Sequence, residues 1–296
     1  MIQNSGSQDK VLWSELLPYE FKQRLAECPI VYLPLGLCEP HGQVAAFGLD
    51  TIKAEWLCTQ AARQAGGIVA PSLGYHIQEA GYHARWLEDH VGEHNPHMTA
   101  MPPAILLHFF LYQLRAFANA GFAGIIVISG HSGGNQIDLR RVAKRFQEKT
   151  AVQVWAVSDP ELVQGQFSGD HAGKYEISQL QSIRPDLVDL SKAPLAERAG
   201  AGGSLAIGED AAEASAAHGE AIMQACLQSV IHAATAMKKQ VIGEQTQQMA
   251  TLTYAETEII WNELVAESVS WTTSAPWAGQ EPVSPSSQWK PYERPY

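Results

Sequence analysis

The sequence predicts an α/β protein wound around an open parallel sheet. Short apolar, β-branched runs at 30–37, 67–73, 124–129 and 152–157 alternate with helix-period segments at 51–65, 103–120 and 136–149, and a further helical segment covers 210–238. At 296 residues the chain can bury a sizeable core as one large domain, and no internal repeat is visible.

The first run, Ile30 to Leu37, ends around Gly36, so Glu39 and His41 of the stretch Glu39-Pro40-His41-Gly42 fall just past the carboxyl end of a strand. Asp50 follows at the start of the first helical segment. The run Gly124 to Ser129 delivers His131 in the loop Gly130-His131-Ser132-Gly133-Gly134-Asn135. Open parallel sheets bind ligands in the crevice outside their carboxyl ends, so both segments face one rim. The run 152–157 precedes Gly169-Asp170-His171-Ala172-Gly173-Lys174-Tyr175-Glu176, whose glycines permit close backbone approach and whose tail opens a helix. Carboxylates and imidazoles are the donors that Zn, Mn and Fe sites draw on. Five of them exceed what one tetrahedral site needs and suggest two ions sharing a bridging carboxylate. Metal-assisted hydrolysis is the chemistry this set points to.

The order E-x-H-G, an Asp eleven residues after the Glu, a G-H-x-G-G-N loop after a strand, and H-A-G-x-x-E-x-S resembles the creatininase (creatinine amidohydrolase) family over roughly residues 10 to 240. The stretch Gly208 to Gly219 is similar to a later Gly-acidic segment of those chains. The resemblance implies a three-layer α/β/α creatininase-like fold with a mostly parallel central sheet, often hexameric. It implies an enzyme that cleaves a C–N bond of a small cyclic amide or formamide through hydroxide activated by two divalent ions (Zn, Mn or Fe). Glu39, His41, Asp50 and His131 match metal positions, with Asp50 as the bridge, and Glu176 matches the glutamate expected to complete the second site. Two departures are visible. Gln43-Val44-Ala45-Ala46-Phe47 stands where the family commonly has a second His and a Pro, and the loop carrying His131 is one residue longer than the common form.

His171 lies beside Asp170, an arrangement suited to a general acid and base, and the matching family histidine is thought to carry a proton to the leaving nitrogen. His171, oriented by Asp170, is the expected proton carrier. His76, His83, His90, His94 and His97 are five of eleven histidines, interleaved with Tyr75, Tyr82, Trp86, Glu79 and Glu93. That segment reads as a long excursion over the site, a substrate lid rather than another metal site. Gly130-His131-Ser132-Gly133-Gly134 also fits a G-x-S-x-G nucleophile elbow, which would make Ser132 the nucleophile of an esterase or lactonase, with Asp186 or Asp210 and His218 or His232 as partners. A non-catalytic binding protein with the same fold is the third alternative.

A net charge of −11 and a pI near 5.4 argue against a nucleic-acid surface. Cys28, Cys38, Cys58 and Cys226 lack C-x-x-C spacing, no run approaches the length of a membrane helix, and the first residues lack a signal peptide's features. A cytoplasmic protein acting on a small molecule, without nucleic acid or membrane, is expected. Residues 194–206 read as a mobile loop. From 246 to 296 the composition changes: Trp261, Trp271, Trp277 and Trp289 accompany Pro276, Pro282, Pro285, Pro291 and Pro295. We read 1–245 as the hydrolase domain and 246–296 as an extended Trp/Pro-rich extension, packing on that domain or, preferably, on a neighbouring subunit.

Overall fold

The computed structural model describes residues 10–78, 81–91, 98–195, 206–243, 251–267 and 270–290. Its central sheet is fully parallel, with strands β1 (Ile30–Leu35), β2 (Ile68–Val69), β5 (Gly124–Ser129) and β6 (Gln153–Ser158) in the order β2-β1-β5-β6. Between β2 and β5 the chain forms a separate parallel pair, β3 (His76–Ile77) with β4 (Ala100–Met101). The apolar run at 67–73 yields only two strand residues before Pro71, which has no N–H to offer a ladder.

Both faces of the central strands β1 and β5 are buried, and only the start of the edge strand β6 is half-exposed. Ile30 and Tyr32 of β1, with Ile126 and Ile128 of β5, pack against α2 (Leu49–Ala65), α7 (Lys174–Ile183) and α8 (Ala216–Gly243). Val31, Leu33 and Leu35, with Ile125 and Val127, pack against α4 (Pro103–Asn119), α5 (Asn135–Lys149) and α9 (Tyr254–Ala266). Burial on both sides explains why these strands read as continuous apolar runs with no polar alternation. Helices α2, α4 and α5 lie within two residues of the segments that their periodicity marks, and α1 (Pro18–Glu27) precedes the first strand. Two glycines set the packing of α7 against its neighbours. A Cβ at Gly219 of α8 would run into the Ser178 backbone, and one at Gly208 into that of Gly173.

The C-terminal segment differs from the expected extended tail. Its first part is the helix α9, closed by a capping box in which Glu256 N donates to Thr253 Oγ1 (3.2 Å) and Thr253 N to Glu256 Oε2 (2.8 Å). The prolines start only at Pro276, beyond this helix. Trp261 and Trp271 stack at 5.8 Å within the core of their own chain, and Trp289 is buried against Ala84, Leu87 and Val91. These three tryptophans fill pockets of this chain, the first of the two packings expected, because the segment folds back onto α4, α5 and α3 (Ala84–His90). The loop expected at 194–206, the boundary near 245, and Glu79, Glu93, His94, His97, Pro291 and Pro295 fall outside the described residues, apart from the ends of that loop. No helix among the described residues is long and apolar enough to cross a membrane.

Candidate metal centre and active-site cleft

Glu39, His41, Asp50, His131 and Glu176 come together beyond the carboxyl ends of β1 and β5, each at most 4% exposed. Glu39 and His41 leave the end of β1 and His131 leaves β5, while Asp50 and Glu176 stand in the first turns of α2 and α7, near the positive ends of those helices. Close approach depends on Gly130, where a Cβ would strike the Asp50 backbone. Ala172 takes a left-handed conformation (φ 51°) that is costly for a residue with a Cβ, and its N–H donates to Glu176 Oε2 at 2.9 Å.

The ligand atoms fall into three groups: one joins Glu39, His41 and His171, and the other two share the carboxylate of Asp50. Glu39, Asp50 and His131 lie within 4.8 Å of one another, and so do His41, Asp50 and Glu176. His41 Nδ1 donates to the Glu39 carbonyl at 3.0 Å, so in the neutral ring Nε2 is the ligand atom, turned toward Asp50 Oδ1 (3.3 Å) and Glu176 Oε2 (3.5 Å). That Nε2 and both Asp50 oxygens are buried yet make no hydrogen bond. Orphaned acceptors facing one another are unstable without a cation between them, so this donor set fits divalent ions. Electrostatics agree. Burial opposes charge on His41, but Asp50 and Glu176 outweigh it and raise its pKa to about 10, so without a metal ion a proton on Nε2 supplies the positive charge that the pocket draws in. Burial opposes charge on Asp50 and Glu176 as well and would raise their pKa. It is overcome at Asp50 by His131 and His41, and at Glu176 by Lys53 and His41.

Lys53 and Asp159 are the members of this centre that sequence reading missed. Lys53 is fully buried on α2, its Nζ 2.6 Å from Glu176 Oε1, 3.3 Å from Asp159 Oδ1 and 4.0 Å from Asp50 Oδ1. Asp159 opens the short α6 (Asp159–Leu162) at the end of β6 and accepts from Gln179 Nε2 at 2.9 Å. Burial pushes its pKa up to about 6 in spite of Lys53. A signal existed: position 53 shares one helical face with Asp50, Ala54, Leu57 and Ala61, all buried.

His171 covers the mouth of the centre. Its ring stacks on His41 at 5.0 Å and takes the edge of Trp86 at 5.6 Å, Nε2 donates to the Pro40 carbonyl at 3.1 Å, and Nδ1 faces Glu39 Oε1 (3.8 Å) and Glu176 Oε2 (3.9 Å). Asp170 does not orient it. The Asp170 carboxylate instead accepts from the N–H groups of Gly173 (3.1 Å), Tyr175 (2.7 Å) and Glu176 (3.3 Å), closing the start of α7. The partners sought for Ser132 are likewise engaged elsewhere. Asp186 pairs with Arg184 at the surface, Asp210 accepts from Lys174 N, His218 packs edge-on against Phe167, and His232 is exposed on α8.

Above the centre lies a cleft of about 800 Å³ whose wall includes His83, Trp86 and His90 of the histidine-rich segment, Ser132, and Trp277 with Gln280. His76 is not part of it: fully buried, it accepts from Ile77 N at 2.8 Å and meets Ser129 Oγ at 3.3 Å. The C-terminal segment holds α3 (Ala84–His90) in place. Asp138 of α5 anchors Thr272 N and Thr273 N (2.9 and 3.0 Å), Tyr82 N donates to Thr273 O, Gln280 Nε2 to Gly81 O, and Ser284 N to Glu88.

Comparison with known proteins adds the following. The profile of the creatininase family (creatinine amidohydrolase) matches residues 14–234. The chain is 26% identical over 201 residues to creatinine amidohydrolase of Pseudomonas putida, covering 62% of this chain and 74% of that one. It is 28% identical over 132 residues to 3-dehydro-scyllo-inosose hydrolase of Thermotoga maritima, covering 43% of this chain and 39% of that one. A crystal structure of creatinine amidohydrolase superposes with a TM-score of 0.64 at 23% identity, covering 80% of this chain and 98% of the other. A manganese form of creatininase matches with the same TM-score and identity, covering 77% and 99%.

Proposed function

The chain belongs to the creatininase family, and on that premise we propose that it is a metal-dependent amidohydrolase cleaving a C–N bond of a small cyclic amide or formamide-type substrate. Two divalent ions are assigned to it, one held by Glu39, Asp50 and His131, the other by His41, Asp50 and Glu176. The observation that carries the reading is the pair of three-residue groups joined through Asp50, whose buried oxygens have no hydrogen-bond partner.

Such ions supply a water of lowered pKa and polarise the amide oxygen. The protein does the rest. The Pro40 carbonyl holds the proton of His171 on Nε2, so Nδ1 faces the centre as a base. It takes the proton released as water attacks the carbonyl carbon and returns it to the departing nitrogen. His41 on one ring face and Trp86 at another edge keep the imidazole from turning away. The cleft walls, with the exposed rings of Trp86 and Trp277, set which amide enters.

Chelation tests the reading. Protein stripped with EDTA should lose hydrolysis in a screen of cyclic amides, formamides and lactones, and regain it with Zn or Mn. Activity that survives complete removal of metal would return Ser132 to consideration and end the metal reading.

A further inference from the structure

Resting on the amidohydrolase reading above, we infer that Trp277 is a specificity residue: it extends an aromatic wall along which a flat group on the departing nitrogen of the substrate lies. Four tryptophans follow residue 246, and Trp261, Trp271 and Trp289 are buried, whereas Trp277 is 55% exposed. Its position is nevertheless fixed. Gln280 N donates to Trp277 O at 3.1 Å in a turn that uses the left-handed φ of Gly279 (85°), and Gln280 Nε2 ties the turn to Gly81 O at 2.7 Å. The ring meets Tyr82 at 6.5 Å and His83 at 6.1 Å. A large aromatic held in place yet left open to a cleft offers its face to a ligand. Trp277 also stands beyond residues 14–234, the part of the chain that the family profile covers, so its role belongs to this chain rather than to the shared frame.

His171 decides which part of the substrate meets this wall. Its Nδ1 faces the centre and serves the departing nitrogen, while the same ring takes the edge of Trp86 at 5.6 Å. The amine side of the scissile bond therefore lies toward Trp86. His83, Trp86 and His90 recur at steps of three and four, so they share one face at α3, and they line the cleft together with Trp277. A flat ring covers such a face over more of its area than a puckered ring does, and stacking adds to simple burial. The cleft of about 800 Å³ has room for that ring beside the amide. Charge narrows the class further. Asp89, Glu161 and Glu281 line the cleft, and Arg85, the one lysine or arginine among the described lining residues, is bonded to Asp89 (2.6 Å) and Glu88 (3.1 Å). An acidic group on the amine portion would find no counter-charge there, so that portion is aromatic and either neutral or cationic.

The test uses metal-loaded, full-length protein and two formamides of similar size whose departing amines are both alkylamines: N-benzylformamide, with a flat ring, and N-(cyclohexylmethyl)formamide, with a puckered one. Affinity is read by ligand-observed NMR and turnover by release of the amine, so the affinity comparison stands whether or not the amide is cleaved. Wild type should bind the flat member about three- to tenfold more tightly, with the preference in KM and not in kcat. Trp277→Ala should remove the preference and Trp277→Phe should keep most of it, with metal content unchanged in both. Phenylacetamide, the isomer with its ring on the acyl side, should bind no differently to wild type and Trp277→Ala. No preference in the wild type, a preference that survives Trp277→Ala, or an equal dependence on Trp277 for phenylacetamide overturns the inference and leaves the amidohydrolase reading intact. A preference that depends on Trp277 in protein that cleaves nothing in the wider amide screen supports the aromatic subsite and overturns the hydrolase reading instead.

Discussion

The inner centre and the outer wall of the cleft touch one another, yet they are built by opposite means. Inside, five acidic and imidazole side chains leave strand ends and first helical turns and are almost wholly buried. Outside, Trp86 and Trp277 are 38% and 55% exposed on a short helix and an irregular segment held by a few hydrogen bonds. The centre must hold several like charges close together, which only a rigid frame achieves. The wall faces the open cleft, and exposed aromatic surface there is available to a ligand. Chemistry should therefore be fixed by the inner region and substrate range by the outer.

The comparison can be broken most severely at Asp50, the shared carboxylate. Asp50→Ala should reduce turnover below detection on any substrate, and measurable hydrolysis by that variant would mean that one position suffices. His171→Ala comes next, with a fall in kcat of about 10²–10⁴-fold and metal content unchanged, the range expected of a general acid and base. Loss of metal along with activity would make His171 a ligand, a role its place beside Glu39 and His41 allows.

The outer wall should respond differently. Trp289 is 1% exposed beneath α3, and Trp289→Ala removes a buried aromatic at a cost of about 3–5 kcal/mol to the stability of that part. Hydrogen exchange across residues 82–91 should accelerate, and KM should rise more than kcat falls, with the ions retained. A fall in kcat at constant KM would show that the wall takes part in the chemistry. The smallest effect belongs to Ser132→Ala. Its hydroxyl lines the cleft, and turnover should stay within a few fold of wild type. Labelling of Ser132 by a fluorophosphonate would contradict this.

The same division decides what the sequence disclosed. Glu39, His41 and His131 were legible because each lies a fixed step past an apolar run, and a buried parallel strand announces its end. Glu176 was counted among the five donors from its glycine-rich segment, but its place in the second site came from the family resemblance, since a carboxylate in a first helical turn has other uses. Lys53 went unread because a lysine is normally a solvated side chain, and only its place on the buried face of α2 tells otherwise. Asp170 was misread because neighbours in sequence need not face each other: its carboxylate turns to the backbone of α7 while the His171 ring turns to Pro40. Helix α9 was hidden by the prolines that follow it, which lent their character to the whole segment.

The central claim, that Asp50 joins two ions, is tested most directly by elemental analysis of wild type and Asp50→Ala loaded side by side with Zn or Mn and freed of excess metal. The account predicts close to two ions per chain in the wild type and close to none in the variant, with the fold of the variant retained by circular dichroism. A wild type that binds no metal, or a folded variant that keeps both ions, would contradict it.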